Sequence, residues 1–121
     1  MSAKDDCYKL IQEIAVARDV KCQHPDCWLP ADCGHHLFKR DRMATAFLPE
    51  AAIGLCTRHH TGWAHAKPKA FKAFMVKRMG NRYHELARLS RQIVQHSDYT
   101  EIRTRLREYL QALVEFPTFG Q

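Results

Sequence analysis

Residues 22–36 read Cys-Gln-His-Pro-Asp-Cys-Trp-Leu-Pro-Ala-Asp-Cys-Gly-His-His, and residues 54–60 read Gly-Leu-Cys-Thr-Arg-His-His. Cys22 and Cys27 are separated by four residues, Cys56 and His59 by two. Paired ligands on two turns distant in sequence are a common way to assemble a tetrahedral zinc site, since each tight turn aims both members at one ion. Thiolate and imidazole are donors that suit zinc, and Pro25-Asp26 supplies the turn inside the first pair. His24 and Cys33 compete for places in the ligand set. The other reading of these residues, buried free cysteines in a small domain, stays open at this stage. A disulfide framework does not suit an odd count of five cysteines in a chain expected to have no signal peptide.

The segment around these pairs, from Val20 to about Ala66, shows no helical period. Pro25, Pro30, Gly34, Pro49, Gly54 and Gly62 punctuate it, leaving room for turns and two short strands, expected at His35–Lys39 and Ala52–Leu55. Such a stretch is expected to lack a conventional core, so a bound metal would have to hold it. Before it, residues 4–18 carry Cys7, Tyr8, Ile11, Ile14 and Ala15 at helical spacing, with Cys7 read as a small buried hydrophobe. After it the chain turns helical. Lys67-Pro68 opens a helix with Phe71, Phe74, Met75 and Met79 on one face, and Gly80 stops it. A second helix is expected from Asn81 to about Gln95, burying Tyr83, Leu86, Leu89, Ile93 and Val94. Asp98 with Glu101 three residues on is a capping-box pattern announcing a third, which Pro117 ends. The expected fold class is α+β in a single domain: an N-terminal helix (1–20), a metal-held core (21–66) and a basic helical region (67–121).

Charge divides along the same line. The 121 residues hold 19 Lys and Arg against 13 Asp and Glu, a net charge of +6 with the eight histidines neutral. Residues 1–60 balance at 8 basic and 8 acidic, whereas residues 61–121 hold 11 basic and 5 acidic. The longest apolar run, about Ala51 to Cys56, falls far short of the ~20 residues a spanning helix needs. These features point to a soluble intracellular protein that attracts polyanions. Lys67, Lys69, Lys72, Lys77, Arg78 and Arg82 form a run that a solvated helix face alone would explain, or that would guide phosphates. Lys39, Arg40 and Arg42 lie nearer the histidines. Trp28 and Trp63 flank the two paired turns and are expected to cap them by packing.

Histidines are the second concentration of chemistry. His35-His36 follows Gly34, His60 follows the Cys56–His59 pair, and His65 stands five residues later. A single such histidine is usually solvated or a satisfied core residue. Four beside one zinc turn suit a site in which some imidazoles hold a divalent ion and another is a general base, an arrangement fitted to phosphodiester hydrolysis.

The order Cys-x4-Cys, Gly-His-His, Cys-x2-His-His resembles the HNH (ββα-metal) nuclease motif with its accompanying structural zinc, and more narrowly the phage NinG (Rap) recombination-protein family. Ala17-Arg18-Asp19 resembles that family's Arg-x-Arg-Asp lead-in, and Gly34-His35 with Lys39-Arg40 its Gly-His-aromatic strand and basic follow-on. Arg42-Met43-Ala44-Thr45-Ala46-Phe47 is similar to its Arg-x-Met-Ala-Thr-Arg-Phe stretch, and the chain after Met79-Gly80 to its C-terminal tail. The resemblance covers about residues 15–113. It departs at Ala51, where the motif's central Asn would fall, and at His59-His60, where the family often has Cys-Asn.

What the resemblance implies is a metal-dependent endonuclease acting on branched DNA recombination intermediates, phage or prophage encoded and working in the bacterial cytoplasm. It implies structural zinc on Cys22, Cys27, Cys56 and His59, and a catalytic divalent ion such as Mg or Mn on His35, His60 and His65. His65 is one residue beyond the usual i,i+4 helical ligand spacing. His36 would be the base and His35 a ligand, with the reverse assignment open. DNA would meet Arg18, Lys39, Arg40, Arg42, Lys67, Lys69 and Lys72, and a two-fold branched substrate would suit a homodimer. The rival expectation is a zinc-stabilised DNA-binding module without catalysis.

Overall fold

In the computed structural model, which describes residues 2–116, the first helix, α1, runs Ala3–Asp19. Ser2 caps it by accepting the Asp5 N–H at 3.1 Å, and Asp5 and Asp6 sit at the positive end of its dipole. Cys7, Leu10, Ile11, Ile14 and Ala15 form its buried face. The helix ends at Val20, whose φ of 65° is uncommon for a β-branched residue. This reversal leads into the bridge between Lys21 and Pro30 that closes the loop carrying Cys22 and Cys27.

Two strands follow, β1 (Cys33–His36) and β2 (Ala52–Leu55), paired antiparallel with Gly34 opposite Gly54, His35 opposite Ile53 and His36 opposite Ala52. Side chains alternate between the faces of a strand, and the two faces have different neighbours. Ala52 belongs to a core with Ile11, Ile14, Ala15, Phe47, Ile102 and Leu106. Ile53 and Leu55 belong to another with Cys22, Cys27, Cys56, Trp63, Phe71 and Met75. The sheet is thus a thin partition between two cores. Helix α1 lies against it so closely that a Cβ at Gly34 would stand 2.8 Å from the Gln12 Cα, and one at Gly54 3.0 Å from the Ala15 carbonyl oxygen. The cross-strand glycine pair is what permits that approach.

After β2, Cys56 caps a single turn, α2 (Thr57–His59), which continues as a π-helical turn over His60–His65. Helix α3 (Pro68–Met79) ends at Gly80, whose φ of 60° allows the sharp turn into α4 (Asn81–Ser90). The last helix, α5 (Tyr99–Glu115), is capped by Asp98, which accepts the Thr100 N–H. It returns to α1, burying Ile102 and Leu106 there, and Arg103 pairs with Asp6 at 2.9 Å.

Among the described residues the architecture is a small α+β unit of five helices and one two-stranded antiparallel sheet. It corrects four sequence expectations. The first strand begins at Cys33 and stops at His36, not Lys39, because the chain turns between Lys39 and Arg42. The segment 20–66 does bury apolar side chains: Ala46, Phe47, Ile53 and Leu55 fill the two cores, which periodicity hides because each face of so short a strand holds only two side chains. Its residues 57–65 are helical. Helix α4 stops at Ser90 and leaves Ile93 99% exposed, since the chain must cross to α1 and is held on the way by His96 Nε2 against the Met43 carbonyl. Pro117 lies outside the described residues. No helix among the described residues is long and apolar enough to cross a membrane.

Gly34→Ala should lower stability by about 1–3 kcal/mol, because the added methyl meets α1 backbone that cannot yield without shifting the helix. Gly62→Ala, where a Cβ meets nothing within 4 Å, should stay within about 1 kcal/mol of the parent or gain stability. Paired denaturant melts of the two variants measure the difference.

Candidate functional site

Cys22, Cys27, Cys56 and His59 come together, with their donor atoms all within 4.8 Å of one another. The Cys27 and Cys56 sulfurs are 3.9 Å apart, and His59 Nδ1 lies 3.6 Å from the Cys22 sulfur and 3.3 Å from that of Cys56. Two thiolates on one tetrahedral zinc stand about 3.8 Å apart, and a thiolate and an imidazole nitrogen about 3.5 Å. The donor set therefore fits one zinc ion in both chemistry and spacing. The first pair is brought into place by the turn in which the Cys27 N–H donates to the His24 carbonyl. The second sits at the start of α2, where the His59 N–H donates to the Cys56 sulfur at 3.5 Å. Burial raises the Cys56 thiol pKa, but hydrogen bonds from the His59 backbone and the neighbouring thiols turn the net shift downward, toward the thiolate a metal requires. Burial pushes Cys22 up to about 11, which deprotonation by a bound cation would have to overcome.

The competing donors lie elsewhere. His24 stacks on the His59 ring at 4.0 Å, and Cys33 donates to the Leu55 carbonyl, its thiol pushed up to about 12 by burial and by Asp32. Trp63 packs edge-on against His24, Phe71 and Phe74. Trp28 is 82% exposed with Lys21 over its ring, so it caps nothing, contrary to expectation; the loop faces it outward between Cys27 and the bridge.

His35, His60 and His65 form a second group, again with donor atoms within 4.8 Å. His60 Nε2 and His65 Nε2 are 3.0 Å apart, close to the spacing of two nitrogens ~2.1 Å from one ion. In an α-helix, residues five apart point about 140° away from each other. The π-helical turn, with its i→i+5 bonding, brings them to one side. The extra residue between them is thereby absorbed. Burial, then the three neighbouring imidazoles, pushes His35 down to about 4, so its ring is neutral and able to donate a lone pair near neutral pH. His60 is likewise lowered, first by burial.

Alternation sends His36 to the other face of β1, where its ring meets Tyr8 edge-on at 6.2 Å. Its Nε2 stands 3.0 Å from the Ala46 carbonyl oxygen. A carbonyl only accepts, so Nε2 carries the proton and Nδ1 of the neutral ring holds the free lone pair. Burial lowers the His36 pKa and Arg40 lowers it further, against the opposing pull of that carbonyl. His35, His36, His60 and His65 share the lining of one cleft of about 420 Å³ with Gln12, Lys39 and Arg40.

Of the basic residues, Lys39 and Arg40 reach this cleft, with Arg40 over the Tyr8 ring at 4.3 Å. Arg42 and Lys72 line the groove beside it, and Lys67 and Lys69 are exposed on the way into and along α3. Arg18 is turned inward, which removes it from the expected phosphate contacts. It donates to both Asp19 carboxylate oxygens, to the Pro49 carbonyl at 2.7 Å and to the Ala52 carbonyl at 2.7 Å. Asp19 in turn accepts the buried Gly54 N–H at 2.7 Å. The bracing role of Arg18 and the use of the Ala46 carbonyl were not foreseen; the adjacency of Arg18 and Asp19 was the available signal for the first. Comparison with protein-family models, curated proteins and solved structures finds no match for this chain.

Purified protein should hold one tightly bound zinc per chain at the cysteine-rich group. Cys27→Ser should lose it and melt at lower temperature, while Cys33→Ser should retain it. Metal analysis by mass spectrometry, run beside thermal melts, decides the point.

Proposed function

We propose that this chain is a metal-dependent endonuclease of the HNH (ββα-metal) type, hydrolysing phosphodiester bonds in DNA, with zinc on Cys22, Cys27, Cys56 and His59 as its structural anchor. The observation that carries the reading is the pairing of a three-imidazole group with a separately oriented fourth imidazole. His35, His60 and His65 can share one ion, and the adjacent His36 is held by the Ala46 carbonyl with its other nitrogen free. A zinc-stabilised binding module has no use for this second group.

His36 Nδ1 accepts the proton of the water that attacks phosphorus, and the carbonyl on Nε2–H keeps the ring in the tautomer that can do so. Lys39 and Arg40, at the same cleft, bind the phosphates flanking the scissile bond. His35, His60 and His65 would hold a divalent ion, a donor set that suits a transition metal such as Mn²⁺ better than Mg²⁺, and that ion would supply charge stabilisation at the phosphate and the leaving oxygen. The resemblance to the NinG family supports branched recombination intermediates as substrates, a phage or prophage setting and the bacterial cytoplasm as the place of action. A homodimer would match the two-fold symmetry of such substrates.

Zinc-loaded protein should cut a four-way DNA junction faster than a linear duplex when Mg²⁺ or Mn²⁺ is added, and neither when it is omitted. His36→Ala and His60→Ala should each lower the single-turnover rate by about 100-fold or more. Binding without metal-dependent cleavage of either DNA would establish the binding module instead, and wild-type rates in both variants would move the site elsewhere.

A further inference from the structure

Among the described residues, three of the 19 Lys and Arg are held in ion pairs. Arg18 pairs with Asp19, Arg82 with Glu50 and Glu85, and Arg103 with Asp6. Lys39, Arg42, Lys72 and Arg91 make no ion pair among the described residues, yet they converge on one groove of about 380 Å³. They come from different parts of the chain: Lys39 and Arg42 from the loop after β1, Lys72 from α3, and Arg91 from the end of α4. A single solvated helix face therefore does not account for them. The negative end of the α4 dipole suits Arg91, but it offers nothing to the other three. No Asp or Glu lines the groove, so its lining carries four positive charges and no negative one.

The floor is apolar. Leu37, Phe38, Tyr83 and Ala87 line it, with the Phe38 and Tyr83 rings 5.4 Å apart. Phe38 is partly exposed and is backed by the buried Tyr83, and cations beside an accessible ring suit a nucleic-acid strand, charge meeting the phosphates and the ring meeting a base. The groove also adjoins the histidine cleft, because Leu37, Phe38 and Lys39 line both.

Resting on the nuclease reading, we infer that this groove is the track for one nucleic-acid strand leaving the cleavage site, its phosphates held by Arg42, Lys72 and Arg91 while Lys39 stands at the junction with the histidine cleft. Arg91 thereby becomes a substrate-binding residue. The three side chains are exposed, so their removal leaves the cores intact.

The test is equilibrium binding of a fluorescein-labelled single-stranded oligonucleotide by anisotropy, across a salt series, using zinc-loaded protein with no other divalent ion added. The variant Arg42→Ala/Lys72→Ala/Arg91→Ala should bind about tenfold or more weaker at moderate salt. Its slope of log affinity against log salt should be shallower by about 2, at ~0.7 per lost contact. A charge-matched control, Lys9→Ala/Arg105→Ala/Arg107→Ala, should keep the parental slope. A groove variant that binds like the parent, or a control that loses as much, overturns the inference. So does polyglutamate competing as well as the oligonucleotide, since the groove would then be a general anion surface. Failure of the nuclease reading shows separately: a parent protein that cuts no DNA, with the groove variant still weakened in binding, removes the activity and leaves the track.

Discussion

The convergence of Cys22 and Cys27 with Cys56 and His59 is the constraint on which the arrangement of residues 22–65 depends. A two-stranded sheet of four residues a side is not stable alone in water, and β1 and β2 are no longer than that. The four donors bring the loop before β1 beside the turn after β2, so a zinc ion there would tie both open ends of the hairpin at one point. The same point sets where the chain emerges from the sheet. Cys56 is at once a donor and the cap of α2, and the π-helical turn that follows must therefore pass over the face of β1 that carries His35.

From that arrangement the division of labour between neighbouring histidines follows without further assumptions. In a strand, adjacent residues cannot face the same way. His35 looks toward His60 and His65, and His36 toward Tyr8 and the loop ending at Phe47. One ring joins a group of donors; the other is fixed by a backbone carbonyl. A slip of one residue in the pairing would exchange them and bury the wrong ring against α1. Gly34 and Gly54 guard against that slip, since α1 lies too close for any other residue at these positions.

Much of this was legible in the sequence, and for identifiable reasons. Long amphipathic helices announce themselves by period and caps, so α1, α3 and the start of α5 fall where the pattern places them. Paired ligand spacing points to the cysteine group because two donors on a tight turn are a local property. The three-imidazole group was less legible, since the i,i+5 spacing of His60 and His65 contradicts an α-helix and is reconciled only by a π-helical turn. The end of α4 was missed because Ile93 and Val94 continue an apolar pattern that the tertiary path overrides. The inward turn of Arg18 was invisible for a similar reason: its acceptors, the carbonyls of Pro49 and Ala52, have no side-chain signature.

Those two carbonyls bear on Ala51, the position where the sequence departs most from the HNH motif. In that motif, as the resemblance implies, a central Asn orients the catalytic loop. Ala51 offers no polar side chain, but the Arg18 guanidinium bonds to the carbonyl two residues before it and to the one directly after it. Asp19 holds the guanidinium from behind and accepts the Gly54 N–H in the same network. Ala51 itself is buried, and its carbonyl accepts the Leu37 N–H just beyond β1. The segment is thus braced from α1 by a charged pair whose contacts beyond each other are to backbone. The alanine is compatible with an ordered segment, which the end of the first helix braces.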